Sequence, residues 1–127
     1  MDLNLRRAAR QWRSSSKARA AKLGRELTLP SIDDVENYLR NLPPVCEYCS
    51  RRLSASKAGK PNMDHRLPIA RGGGAETANL VLSCSGCNRA KGEMTELEFR
   101  ALRALVSTWE DGGKDLMRRL KLGWFSH

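Results

Sequence analysis

The sequence predicts an α+β protein in which a small core, stapled by four cysteines, is flanked by helices. Two Cys-x-x-Cys pairs, Cys46/Cys49 and Cys84/Cys87, lie in the middle of the chain. Between them a short apolar run, residues 80–82, is bounded by turn residues, which is typical of a buried strand. Before and after this middle, apolar residues recur at helical spacing behind good N-cap residues.

Positive charge is the clearest feature of the composition. The 127 residues include 23 Lys and Arg against 14 Asp and Glu, which gives a net charge of +9. Such a field attracts polyanions, chiefly nucleic acid or an anionic membrane surface. No apolar run approaches the roughly 18–20 residues that span a bilayer, and no signal-peptide pattern opens the chain. We therefore expect a cytoplasmic, intracellular protein that does not enter a membrane.

Most of this charge lies in the first 25 residues, which carry eight Lys and Arg against one acid, whereas residues 26–127 have a net charge of only +2. Apolar residues recur near helical spacing in this basic arm, and Gly24 is a plausible stop. A basic stripe accompanies them, formed by Arg6, Arg10, Arg13 and Lys17. We predict a helical arm over residues 1–25 whose stripe contacts phosphates, with a solvated or disordered tail as the alternative.

Residues 26–44 are predicted to form a short helix and a linker. Ser31 is a good N-cap, Asp34 follows three residues later, and Pro43-Pro44 ends the segment.

Residues 94–127 are predicted to form C-terminal helices and a tail. The run Thr95-Glu96-Leu97-Glu98 resembles a capping box and opens a helix. The apolar positions expected on that helix are Leu97, Leu102, Leu105, Val106 and Trp109. Asp111-Gly112-Gly113 is predicted to be a turn, and residues 114–122 one more helix.

The four cysteines predict a structural zinc site. A Cys-x-x-Cys turn points both sulfurs at one ion, and two such turns supply four tetrahedral ligands, which leaves no open position for water. In a reducing cytosol paired thiols more often bind metal than form disulfides, although a lone pair can be redox-active. The middle segment, residues 45–93, is too small to hold a stable core alone. Zinc binding coupled to folding can contribute about 10–16 kcal/mol to such a segment.

A second set of polar residues lies between the cysteine pairs, which are separated by 34 residues, whereas a plain zinc ribbon uses about 15–20. In order, the middle reads Cys46-x-x-Cys49, Asp64-His65-x-x-Pro68, Gly72-Gly73-Gly74, Asn79-Leu80, Cys84-x-x-Cys87-Asn88 and Lys91-Gly92. This set resembles the HNH endonuclease family, and within it the zinc-binding branch with four cysteines, common in phage and restriction nucleases. The resemblance covers residues 45–93, and the flanking segments match no motif.

The resemblance implies a ββα-metal (His-Me finger) core. A first strand near residues 62–67 would carry Asp64 and His65, and a glycine-rich loop would turn the chain at residues 72–74. A second strand would cover residues 79–83, and a helix starting near Asn88 would close the unit.

The resemblance also implies the roles of the site residues. His65 is the expected general base, since a free imidazole titrates near pH 6.5. Asp64 and Asn88, the latter where many members have His, would hold a catalytic Mg²⁺ or Mn²⁺ through oxygen atoms. Asn79 would fix the loop and orient the base. The phosphate contacts expected at the start of the helix are Arg89 and Lys91.

The predicted function is therefore a metal-dependent endonuclease that hydrolyses DNA, most simply double-stranded DNA. A non-catalytic zinc-stabilised nucleic-acid-binding module and a thiol redox protein are the alternatives, but only a nuclease explains Asp64, His65 and Asn88 together. The sequence leaves open DNA or RNA, nicking or double-strand cleavage, and monomer or homodimer. These features would be shared by a phage packaging accessory, a restriction enzyme and a mobile-element nuclease. The protein could thus be encoded by a phage in a bacterial host.

Overall fold

The computed structural model describes residues 4–54, 61–109 and 111–122. These residues combine helices with one small antiparallel sheet, the mixed architecture that the sequence predicts. The elements are α1 (Leu5–Lys22), α2 (Ile32–Arg40), β1 (Pro61–His65), β2 (Leu80–Cys84), α3 (Ser85–Lys91), α4 (Glu96–Ser107) and α5 (Asp111–Lys121). In the sheet, Asp64 pairs with Val81 and His65 with Leu80.

The first two helices form where their capping residues predict. The Asn4 side chain accepts a hydrogen bond from the Arg7 N–H at the start of α1, and Gly24 adopts a positive φ of 68° just after its end. The Ser31 side chain accepts from the Asp34 N–H at the start of α2. Each cap satisfies one of the backbone N–H groups that the first turn of a helix leaves unpaired.

The expected start of the third helix near Asn88 is wrong. Cys84, at the end of β2, is the N-cap of α3, and its sulfur accepts from the Cys87 N–H at 3.4 Å. The helix therefore begins at Ser85, three residues early, because the cysteine takes the place of a polar cap. As a consequence Arg89 and Lys91 lie in the last turn of α3 and not in its first.

The capping box of Thr95 and Glu98 forms as predicted, but the apolar face of α4 differs from the prediction. Phe99 and Val106 are buried, whereas Leu97 is 80% exposed. Leu105 and Trp109 are exposed as well. The Phe99 ring meets the Tyr48 ring edge to face, with centroids 5.2 Å apart, and this contact sets which side of the helix faces the core.

The predicted turn at residues 111–113 is wrong, because α5 already begins at Asp111 and includes both glycines. Gly113 is buried against α4, and a Cβ there would lie 1.9 Å from the Val106 carbonyl oxygen. Glycine at this position therefore permits two helices to approach each other closely and does not mark a bend.

One cluster of buried side chains joins the elements. It runs from Trp12 in α1 and Val35 in α2 through Leu80 in β2 to Phe99 in α4, so the basic N-terminal helix packs into the same core as the cysteine-bearing segment. Within the described residues, none of the helices has both the length and the apolar character that crossing a bilayer demands.

Candidate metal centre and active site

The four cysteines meet at one point. Cys46 and Cys49 lie in a tight turn, while Cys84 ends β2 and Cys87 lies in the first turn of α3. Their four sulfur atoms all lie within 4.8 Å of one another, and the Cys49 and Cys84 sulfurs are 3.9 Å apart. Tetrahedral zinc with Zn–S bonds of about 2.3 Å places sulfurs about 3.8 Å apart, so the donor set fits a thiolate-bound metal ion.

Positive charge surrounds the cysteine cluster. The Arg103 guanidinium donates to the Cys87 sulfur at 3.5 Å, and Lys121 adds a favourable charge near the same thiol. The adjacent Cys87 thiol, with backbone N–H groups, lowers the pKa of Cys46 to about 4. Four thiolates on a divalent ion carry two net negative charges, which these cations offset.

The three residues predicted to do chemistry share one cavity. Asp64 and His65, at the end of β1, and Asn88, in α3, all line a cavity of about 400 Å³. Arg19 and Lys22 from the last part of α1 line the same cavity. The structure thus brings the predicted carboxylate, imidazole and amide together, and it adds two cations that the sequence interpretation did not assign to the site.

Asp64 is buried with a cation beside it. Its Oδ2 accepts a hydrogen bond from the Tyr48 hydroxyl at 2.8 Å and lies 3.2 Å from Nζ of Lys91. Burial raises the pKa of Asp64, and the charge of Lys91 together with the Tyr48 hydrogen bond opposes that rise. Among the described residues Oδ1 has no hydrogen-bond partner, so one carboxylate oxygen is left to bind a metal ion.

His65 is held by the N-terminal helix. Its ring stacks on Trp12 with centroids 4.0 Å apart and planes 21° apart, and its Nε2 lies 2.8 Å from Oγ of the buried Ser16. Burial lowers the pKa of His65 to about 4, helped by the positive charges of Arg19 and Lys91. The imidazole is therefore neutral at physiological pH. Nδ1 has no hydrogen-bond partner within the described part of the chain.

Asn79 stabilises the loop between the two strands through side-chain hydrogen bonds. Its Oδ1 accepts from the Leu67 N–H at 2.8 Å, and its Nδ2 donates to the carbonyls of Leu67 and Gly74. Gly73 permits the same close approach, since a Cβ there would lie 1.8 Å from the Leu67 carbonyl oxygen. The amide holds the segment that follows His65, and all its bonds go to backbone atoms.

Asn88 is half-buried at the edge of both this cavity and a second one. No hydrogen bond from its side-chain amide is found among the described residues, so the carbonyl oxygen is free to take a ligand. Asp64 and Asn88 line the same cavity, and their side-chain oxygens are hard donors of the kind that Mg²⁺ prefers.

The predicted phosphate contact at Lys91 does not fit the structure. The Lys91 side chain is fully buried, where its ammonium group pairs with Asp64 and donates to the His65 carbonyl at 3.0 Å. An unpaired buried carboxylate is strongly destabilising. Pairing Asp64 with Lys91 avoids that cost, which is larger than the cost of burying the lysine. Arg89 stays exposed and donates to the Lys121 carbonyl at 2.8 Å.

The basic stripe of α1 is partly engaged within the protein. Arg6 forms ion pairs with Asp33 and Glu36 of α2, and Nε of Arg13 donates to the Pro30 carbonyl at 2.7 Å. Arg10 and Lys17 are exposed and border a separate cavity beside Leu29. None of these four residues lines the cavity of Asp64 and His65.

Sequence reasoning missed Tyr48, Trp12, Ser16 and Arg19 as site residues. Tyr48 stands between the first two cysteines, which could have drawn attention to it. Trp12 is one of the apolar residues that recur near helical spacing in α1, and nothing in the sequence indicates that it covers an imidazole.

Comparison with known proteins agrees with this geometry. Residues 46–94 match a family model described as HNH endonuclease. No curated protein and no solved structure matches the chain. The matched segment contains all four cysteines, together with Asp64, His65, Asn79 and Asn88, and it excludes α1 and α2.

Proposed function

We propose that the protein is a metal-dependent endonuclease that hydrolyses phosphodiester bonds of DNA, because residues 46–94 match a family model described as HNH endonuclease. The observation that carries the proposal is the convergence of Asp64, His65 and Asn88 on one cavity. A cation-binding oxygen pair beside a neutral imidazole is what phosphodiester hydrolysis needs. The succession of β1, β2 and α3, with His65 at the end of the first strand, supports a ββα-metal core.

The cysteine cluster is assigned to structural zinc. Four thiolates close the coordination sphere, so the ion would hold the turn at Cys46 against the start of α3 and take no part in hydrolysis. Asp64 and His65 lie on the chain between the two cysteine pairs, and Asn88 directly follows Cys87, so the ion would hold together the segments that carry all three residues.

A second ion, Mg²⁺ or Mn²⁺, would be held by Oδ1 of Asp64 and the side-chain oxygen of Asn88. When bound, it supplies Lewis-acid stabilisation of the scissile phosphate and of the leaving oxygen. The Lys91 ammonium group lies against the other oxygen of Asp64 and partly neutralises the carboxylate. We therefore expect weak binding of the isolated ion, strengthened when a phosphate is present.

His65 is assigned as the general base. When Oγ of Ser16 accepts a hydrogen bond from Nε2–H of His65, the ring proton is on Nε2. The lone pair of Nδ1 is then free to take a proton from water. Trp12 covers one face of the ring and prevents it from rotating. In this scheme Ser16 and Trp12 are positioning residues, because they act through His65 and do not touch the substrate.

A supercoiled-plasmid assay tests the proposal. Wild-type protein with Mg²⁺ or Mn²⁺ should convert the plasmid to nicked or linear product, and His65→Ala should abolish conversion. The chain contains two histidines, so His127→Ala is a matched control that should leave activity intact. Zinc content and circular dichroism should be unchanged in both variants.

Full activity in His65→Ala would remove the general-base assignment. Wild-type protein that binds DNA without nicking it under any divalent ion would instead indicate a non-catalytic zinc-stabilised binding module.

A further inference from the structure

We propose that one face of α1, formed by Gln11, Ser15, Arg19 and Lys22, is the wall of a cleft that holds the sugar–phosphate backbone of the substrate strand beside His65. The inference rests on the proposed nuclease function. It places substrate binding on a helix that lies outside residues 46–94.

Two cavities together form the cleft. The first, of about 400 Å³, contains Asp64 and is lined by Arg19 and Lys22. The second, of about 370 Å³, is lined by Gln11 and Ser15. Both are lined by Arg19, His65 and Asn88, so the two cavities adjoin at the proposed base. A backbone lying along this cleft would pass the proposed base on its way from one cavity to the other.

The four residues are neighbours on the helix surface. Their spacings of four, four and three residues place them in one stripe along α1. This stripe flanks the buried face that carries Trp12 and Ser16, so the helix both supports the His65 ring and presents polar groups beside it.

The chemistry of the stripe matches phosphates. The side chains of Arg19 and Lys22 are exposed, and neither forms an ion pair or a hydrogen bond with the described residues. Their charges face a cavity whose acidic members are Asp64 and Glu93. Arg19 lies close enough for its charge to oppose protonation of both Asp64 and His65. Arginine and lysine supply charge-assisted contacts to phosphate oxygens, and glutamine and serine supply neutral ones.

The opposite face of α1 provides the comparison. At 3.6 residues per turn, Arg10 and Lys17 lie roughly 160–180° around the helix axis from Arg19. They border a different cavity, away from His65. All four residues are positively charged, exposed and part of α1. Arg10 and Lys17 differ from Arg19 and Lys22 only in the face of the helix on which they lie.

The experiment compares two double variants, Arg19→Gln/Lys22→Gln and Arg10→Gln/Lys17→Gln, each of which removes two positive charges from exposed positions of α1. Binding to a fluorescent DNA duplex of 20 base pairs is measured by anisotropy over a series of salt concentrations, without added divalent ion. Each lost phosphate contact makes the slope of log affinity against log salt less steep by about 0.9. The slope of Arg19→Gln/Lys22→Gln, the site-face variant, should therefore be less steep than that of the wild type by about 1.8. Its Kd at low salt should rise about tenfold, and that of the opposite-face variant less than threefold.

Equal losses in the two variants would overturn the inference, since the helix would then act only through its overall charge. A larger loss in the opposite-face variant, or no measurable binding by the wild type, would overturn it as well. The nuclease proposal is judged separately, by plasmid nicking. If Arg19→Gln/Lys22→Gln loses more affinity than Arg10→Gln/Lys17→Gln but the wild type never nicks the plasmid, the binding face is supported and the nuclease proposal is contradicted. If the wild type nicks the plasmid but the two variants lose equal affinity, the nuclease proposal is supported and the binding face is contradicted.

Discussion

The Trp12 indole lies flat against the His65 imidazole, with ring centroids 4.0 Å apart, and joins the N-terminal helix to the proposed active site. The indole is fully buried, and its Nε1 donates to the Ala75 carbonyl at 2.9 Å, which anchors it to the loop after β1. Removing α1 would therefore expose His65 and release the loop, and would do more than remove positive charge.

Ser16→Ala should slow catalysis without changing substrate binding. In the proposed arrangement Oγ of Ser16 accepts a hydrogen bond from the Nε2–H of His65. The substitution would remove that acceptor, so the ring proton would be held less firmly on Nε2 and Nδ1 would less often be a free acceptor. We expect kcat to fall about tenfold, which corresponds to about 1.4 kcal/mol, with KM unchanged. Plasmid-nicking kinetics measures the split.

The matched control is Ser14→Ala, which changes an exposed serine on the same helix. Nitrogen-15 NMR of the imidazole in a His127→Asn background reports the tautomer of His65 alone, because the chain has two histidines. Ser16→Ala with the wild-type tautomer and a wild-type kcat would contradict a positioning role.

Protein stability should depend on His65 between about pH 5 and 7. The folded pKa of about 4 lies below the value of about 6.5 expected for an unfolded chain. As the pH falls through this window, His65 becomes protonated in the unfolded state but stays neutral in the folded state. Proton uptake therefore stabilises the unfolded state, and the free energy of unfolding decreases. The loss is on the order of 1–2 kcal/mol by pH 5.

His65→Gln lacks this titration but keeps the cysteines, so acid loss of metal is common to both proteins. The difference in melting temperature between wild type and variant, measured in zinc-containing buffer, should shift in favour of the variant as the pH is lowered from 7 to 5. Parallel curves would show that the imidazole titrates normally in the folded protein.

The cluster of Asp64, His65 and Asn88 could be predicted because the motif that carries it is local to one hairpin and the following helix. The contact of Ser16 with His65 could not, because the two residues are 49 positions apart and a serine within a helix matches many sequences. Likewise, the pattern around Lys91 does not distinguish a surface lysine from a buried one. Its burial follows from the placement of Asp64 by a different element.

Lys91→Met should destabilise the protein strongly. The substitution keeps most of the side-chain volume but leaves the Asp64 carboxylate buried without its cation. Removing one partner of a buried ion pair costs about 3–5 kcal/mol, and the Tyr48 hydrogen bond places the expected loss near the lower end, at about 3 kcal/mol. Urea unfolding in zinc-containing buffer measures it.

Two comparisons make this result specific. Arg89→Met, at an exposed position in the same helix, should cost less than about 0.5 kcal/mol. Adding Asp64→Asn to Lys91→Met should recover part of the loss, because the unpaired charge is then absent. A cost for Lys91→Met no larger than that for Arg89→Met would mean that the pair contributes nothing to stability.

Arg103→Ala should weaken metal binding by the cysteine cluster. The guanidinium donates to the Cys87 sulfur, and its loss removes a positive charge from beside the thiolates. Loss of such an outer partner typically lowers metal affinity about 10- to 100-fold, and we expect a value near the lower end. Competition with a chromogenic zinc chelator measures the affinity.

Arg118→Ala serves as the control, since Arg118 is exposed and donates to Asp115 within α5. Complete removal of the metal by a strong chelator should unfold the segment between the cysteine pairs in every variant, because binding and folding are coupled. An unchanged affinity in Arg103→Ala would restrict the role of Arg103 to its packing over the Phe99 ring.

Gly113→Ala and Gly112→Ala should change stability in opposite directions. At Gly113 a Cβ would lie 1.9 Å from the Val106 carbonyl oxygen and 2.8 Å from Cβ of Trp109, so α4 and α5 must move apart, at a cost of about 1–3 kcal/mol. At Gly112 no atom lies within 4 Å, and alanine should stabilise the helix by up to about 1 kcal/mol. Equal effects of the two substitutions on thermal unfolding would show that α5 does not pack closely on α4 at this point, and that the glycine pair forms a turn, as its sequence indicates.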